Sequence, residues 1–237
     1  MMAIKHEVEK ALERLKNLRN TGDLEGQLAT YKELGRLYSL QEEYETAANY
    51  LEKAARVADY LKKSNAFEDI CLSLIAIYQI NEATDAVIDV YSRLHVFLNL
   101  SHDVERASQY NDVRLDLVAQ QIGKKNPDFF ERFRYEAKIA SANIDKLKGS
   151  YARLLRGEIE PTVPDEYTEA CYFLVDECSR EGDYDAAMKY IADCERIMRN
   201  SGIWSTPAGL AYLQQLKQAV EKNRHGDSSD TIRKIFG

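Results

Sequence analysis

At 237 residues the chain is long enough to bury a core without disulfides or metal, and 45% apolar with 30% charged residues excludes a disordered chain. Only 4 prolines and 11 glycines interrupt it, which favours long helices over short strands joined by turns. A formal net charge of −7 argues against a polyanion as the main partner, so neither nucleic acid nor an anionic membrane surface is expected.

The N-terminal stretch through Lys5, His6 and Glu7 lacks the apolar centre of a signal peptide, so a cytoplasmic protein is expected. From there the apolar spacing is helical. Val8, Ala11, Leu12, Leu15 and Leu18 trace one stripe of a helix over about 3–19. Nine more helices are predicted at roughly 23–40, 43–62, 66–80, 83–100, 103–122, 127–148, 164–181, 184–200 and 206–223, with no strand. The most apolar run, Cys71 to Tyr78, is far shorter than the roughly 20 residues that cross a bilayer.

Punctuation supports these divisions. Pro127, Pro164 and Pro207 stand where a first helical turn tolerates a missing N–H, and Gly123, Gly157 and Gly202 stand where helices should stop. Asn65 followed by Glu68 reads as a capping box. The segment from Arg156 to Val163 is the longest irregular stretch and reads as a loop or a hinge, the loop being preferred because both sides share one pattern. Leu210, Leu213, Leu216 and Val220 give the last helix one apolar face, as a terminal cap needs. The organisation expected is one helical repeat domain over 1–226 and a flexible tail over 227–237.

The chain repeats itself. From Leu28 to Leu61 it carries Tyr31, Leu34, Gly35, Tyr38, Tyr44, Ala47, Leu51 and Ala54, and about Asp165 to Asn200 carries Gly182-Asp183-Tyr184-Asp185-Ala186-Ala187 followed by Ile191 and Cys194. These positions resemble the tetratricopeptide repeat. The 40 residues from Tyr38 to Tyr78 exceed the usual 34 and resemble the longer-helix members, such as soluble NSF-attachment proteins, kinesin light chains and bacterial peptide-regulated Rap-type proteins. The resemblance implies an all-α, right-handed superhelical solenoid of antiparallel helix pairs with a C-terminal capping helix. A small residue at Gly35 then lets the paired helix approach at Ala47.

Chemistry is sparse by comparison. No phosphate-binding, nucleophile-elbow, zincin or calcium-loop pattern is present, and His6, His95, His102 and His225 form no ligand set. Cys71, Cys171, Cys178 and Cys194 read as reduced thiols, the last three as core positions of one repeat without a fourth zinc ligand. No enzyme activity, cofactor or metal is therefore expected.

A protein or peptide partner is expected instead, and in such repeats the first helix of each pair lines a concave groove. The resemblance selects Lys32, Arg36 and Ser39 in the first repeat and Tyr172, Asp176 and Arg180 in the second. Arg36 stands where the chaperone-binding members carry asparagine, which speaks against their carboxylate clamp. Independently, Arg106, Tyr110 and Arg114 recur every four residues with Asn111 adjacent, a polar stripe that either grips a peptide or is an ordinary solvated face. An adaptor is the leading function; a helical subunit of a homo- or hetero-oligomer, and a peptide-regulated switch, are the alternatives.

Overall fold

The computed structural model describes residues 2–200 and 207–224. They form ten helices: α1 (Met2–Thr21), α2 (Leu24–Ser39), α3 (Tyr44–Tyr60), α4 (Ser64–Ile80), α5 (Thr84–Leu100), α6 (Val104–Ile122), α7 (Phe129–Arg156), α8 (Glu166–Arg180), α9 (Tyr184–Asn200) and α10 (Pro207–Arg224). No strand occurs among these residues. The ten expected helices are all present, and the largest boundary error is at α7, which runs eight residues past the predicted end at 148 to stop at Gly157.

One turn geometry ends most of these helices. Gly22, Glu42, Lys62, Glu82 and His102 take positive φ at a step of 20 residues, and the amide after each donates back across the turn, as from Glu43 to the Tyr38 carbonyl at 3.0 Å and from Lys63 to Ala58 at 2.9 Å. This is the Schellman arrangement, which satisfies carbonyls left open at a helix end. Gly123, Gly157 and Gly182 close α6, α7 and α8 in the same way. Since each helix plus turn spans 20 residues from α2 through α5, a helix pair repeats every 40, and α2, α4 and α6 are equivalent first helices. Gly202 and the tail over 227–237 lie outside the described residues.

Two expectations about helix starts are corrected. Asn65 is not a cap: α4 begins at Ser64, Lys63 holds the cap position without a side-chain bond, and Glu68 is engaged elsewhere. The reciprocal box is instead at α7, where Asp128 accepts from the Glu131 amide at 2.8 Å and Glu131 accepts from the Asp128 amide at 3.1 Å.

By their contacts the residues fall into two compact units, divided within α7 between Ser141 and Ala142. In the first, α1 through α6 pack each on the next, and the inner face of α7 adds Ile139 against Ile88 and Val118. Gly35 explains the closeness of α2 and α3: a Cβ there would lie 2.6 Å from Leu51 Cγ, while Ala47 O is 3.5 Å away. The constraint predicted at Ala47 thus acts chiefly through Leu51. Tyr31 and Leu34 are fully buried, Tyr38 stacks on Tyr50 at 5.4 Å, and Phe67 stacks on Phe97 at 4.2 Å. Each such burial stabilises by about 1.5–3 kcal/mol. On α1, Val8, Ala11 and Leu15 are buried, whereas Leu12 is exposed.

In the second unit, Tyr151, Leu154 and Leu155 of α7 share a core with Leu174 and Val175 of α8, Ile191 and Met198 of α9, and Leu213 and Leu216 of α10. The α10 helix packs on α9 and α8, as a capping helix does. No described helix is long and apolar enough to cross a membrane.

Candidate binding groove

The first helices α2 and α4 lie side by side and leave a groove of about 600 Å³ between them. Helical spacing puts Lys32, Arg36 and Ser39 on one wall and Ser73, Ala76, Ile77 and Ile80 on the other, with Leu51 and Ile70 as apolar floor. Two ion pairs join the walls. Lys63 Nζ is 2.6 Å from Glu25 Oε1, and Lys32 Nζ is 3.8 Å from Asp69 Oδ2, a loose contact between exposed groups. Arg36 is exposed and has no ion-pair partner among the described residues. The Ser39 hydroxyl donates to the Gly35 carbonyl at 2.9 Å, so its proton is used within α2. The groove is apolar beneath and cationic along the α2 rim.

The stripe on α6 is differently placed. The Arg106 guanidinium and the Tyr110 hydroxyl, the latter at 2.6 Å, both donate to the Glu68 carboxylate of α4, and Arg106 also holds Asp103 at its own helix start. Glu68 is the group that sequence reasoning missed, because 38 and 42 residues separate it from those donors. Burial and the bond to Glu68 push the Tyr110 hydroxyl up to about 12, while the Arg106 bond holds Asp103 below the usual carboxylate range. Arg114 donates to Asn111 Oδ1 at 2.8 Å and pairs with Glu136 of α7 at 2.9 Å. Arg106 and Tyr110 thus tie α6 to α4, and Arg114, which also bonds Asn111, ties it to α7.

In the second repeat, Tyr172 is half-buried at the edge of the core, close to Tyr212 of α10. Asp176 pairs with Arg180, which also donates to Glu177 at 3.0 Å. These positions match Lys32 and Arg36 in register.

A second, half-buried polar cluster went unseen in the sequence. Arg93 of α5 makes a two-pronged bond to Glu52 of α3, at 2.7 and 2.8 Å, and Tyr78 of α4 donates to the same carboxylate at 3.1 Å. Burial alone would lower the Arg93 pKa, but the bonds to Glu52 outweigh it and hold the charge. Nearby, burial pushes the Cys71 thiol up to about 12.

A ring nitrogen of His95 lies 3.0 Å from the Ala107 carbonyl, and His102 occupies a positive-φ turn. The four cysteines are free; Cys194 donates to the Tyr167 carbonyl at 3.2 Å, and contact with Cys194 together with burial raises the Cys171 thiol far above its usual value. Among the described residues no group of three or more histidine, cysteine or acidic side chains is arranged to hold a metal.

The tetratricopeptide-repeat family model matches the chain at 28–59 and 168–200, which are α2–α3 and α8–α9. The chain therefore carries tetratricopeptide repeats at these two places. A search of curated proteins finds no match. The two matched repeats stand in the same register, 140 residues apart, and between them α4 and α5 pack as a helix pair without the motif. Such repeats mediate protein–protein interaction and scaffolding, and the family is typically not enzymatic.

Proposed function

We propose that this repeat protein is an adaptor whose α2–α4 groove holds a segment of another protein. The observation that carries the proposal is the unpartnered Arg36 on the rim of an apolar groove, since an exposed guanidinium beside buried aliphatic surface suits a segment that pairs an apolar anchor with a carboxylate or a chain of backbone carbonyls. Lys32 adds a second cation, because a contact of 3.8 Å to exposed Asp69 is easily exchanged for a ligand's carboxylate. Of the other expected groove residues, Arg106, Tyr110 and Arg114 set the position of α6, and Tyr172, Asp176 and Arg180 stay outside the contact. No enzyme chemistry enters this reading, and its setting is the cytoplasm, where free thiols are stable.

The test is selection of peptides from a random library on the whole chain, followed by titration of a selected peptide against Arg36→Glu. Binding should weaken by at least about tenfold, equivalent to 1.4 kcal/mol, with the melting temperature unchanged. A library that yields no binder, or a selected peptide indifferent both to Arg36→Glu and to blocking the groove by Ala76→Trp, contradicts the proposal.

A further inference from the structure

The start of α7 displays aromatic surface that no described residue covers. Phe129, Phe130 and Phe133 are 67%, 72% and 61% exposed and touch mainly one another, with ring centroids 5.7 Å apart for Phe129–Phe130 and 6.1 Å for Phe129–Phe133. Their helix turns its other face inward through Tyr135, which donates to Asp85 at 2.6 Å, and Ile139. Beside the rings stand Lys125, Arg134 and Lys138, all exposed and without ion-pair partners among the described residues. Adjacent α6 shows the opposite charge. Glu105, Asp112 and Asp116 occur at spacings of seven and four, hence on one helix face, all exposed and likewise unpaired, with Val113 exposed at their side.

We propose that these two surfaces bind each other between two copies of the chain. The basic aromatic face of α7 in one copy sits on the acidic face of α6 in the other, and a two-fold axis makes the contact twice. Three arguments select a second copy as the occupant. An anion-bearing apolar surface is what the α7 face requires, and the same unit carries one. Charged faces of opposite sign on neighbouring helices are self-complementary, which is the condition for a closed, isologous dimer. The area is also sufficient: three phenylalanines about two-thirds exposed offer roughly 400 Å² of aromatic surface per copy, and with the α6 surface facing them two such contacts exceed the roughly 1,000 Å² that a specific interface needs.

Sedimentation velocity on the whole chain tests this. At about 100 µM and low salt the protein should be dimeric, and Phe130→Ser with Phe133→Ser should weaken the dimer by at least about tenfold. Two charge reversals make the test specific. Asp112→Lys with Asp116→Lys, and separately Arg134→Glu with Lys138→Glu, should each give a folded monomer by sedimentation and circular dichroism. Mixing the two variants should restore the dimer, because each reversed face then meets its complement. A monomeric parent at that concentration, charge-reversed variants that still dimerise, or a mixture that stays monomeric overturns the proposal. Co-sedimentation of monomeric protein with phosphatidylserine vesicles would assign the phenylalanine face to lipid instead and equally overturn it.

Discussion

The two matched repeats, α2–α3 and α8–α9, share a register and a helix-pair shape but solve the same packing problem with different residues. Where the first has fully buried Tyr31, Gly35 and Ala54, the second has Cys171, Val175 and Cys194, so one pair interlocks a large ring with a missing side chain and the other fills the space with medium ones. The outward positions diverge as well. Lys32 and Arg36 border an open groove, whereas Tyr172 packs against a core completed by α10 and Asp176 is closed by Arg180. A repeat signature thus reports which residues face the partner helix; what the other face meets depends on its neighbour in the chain.

The contrast can be broken most severely at the close approach. Gly35→Leu should cost about 3 kcal/mol, because the side chain collides with Leu51 inside a packed pair, whereas Val175→Leu adds one methylene and should cost about 1 kcal/mol. Thermal unfolding of both variants checks this; equal losses would mean that the two pairs are packed alike.

Next in size is the polar tie between first helices. Glu68→Ala leaves Arg106 and Tyr110 without their shared acceptor and should cost about 2 kcal/mol in denaturant unfolding, while Asp176→Ala, which removes an i,i+4 pair to exposed Arg180, should cost less than about 0.5 kcal/mol.

Smaller effects are expected at the turns, where the ends of α2 through α5 put ordinary residues in left-handed backbone and the ends of α7 and α8 use glycine. Glu42→Gly should stabilise by about 0.5–1 kcal/mol, since strain relieved in the fold exceeds the entropy gained by the unfolded chain, and Gly182→Ala should cost about 1 kcal/mol. Melting curves of the pair decide whether the turns carry that strain.

Alkaline pH should weaken the first unit through one thiol and two phenols. Cys71, Tyr110 and Tyr135 are all pushed up to about 12, so each binds its proton more tightly folded than unfolded. Their stabilising contribution is complete below the unfolded values of about 9 to 10 and is lost as pH rises toward 12. A pH series of melting temperatures should fall through that window, and Cys71→Ala should make the fall shallower.

Much of this architecture could be read from the chain because helix–turn repeats are local: apolar periodicity and the Gly182-Asp183-Tyr184 turn mark elements within a few residues of themselves. The four turns at Glu42, Lys62, Glu82 and His102 were hidden, since residues other than glycine do not advertise positive φ. The candidate site was half legible. Lys32 and Arg36 reach the groove wall through the repeat register alone, but whether a polar stripe is free depends on distant partners. The regular spacing of Arg106, Tyr110 and Arg114 gave no hint that Glu68 and Glu136 would engage them. Likewise the Glu52–Arg93 pair spans 41 residues and follows no local rule.

Photo-crosslinking of a library-selected peptide from a reactive side chain placed at Ser73, and in parallel at Arg180, tests the assignment of the groove most directly. The α2–α4 groove predicts crosslinks from position 73 that Arg36→Glu abolishes, and none from position 180. Crosslinks from position 180 with none from position 73 would contradict it.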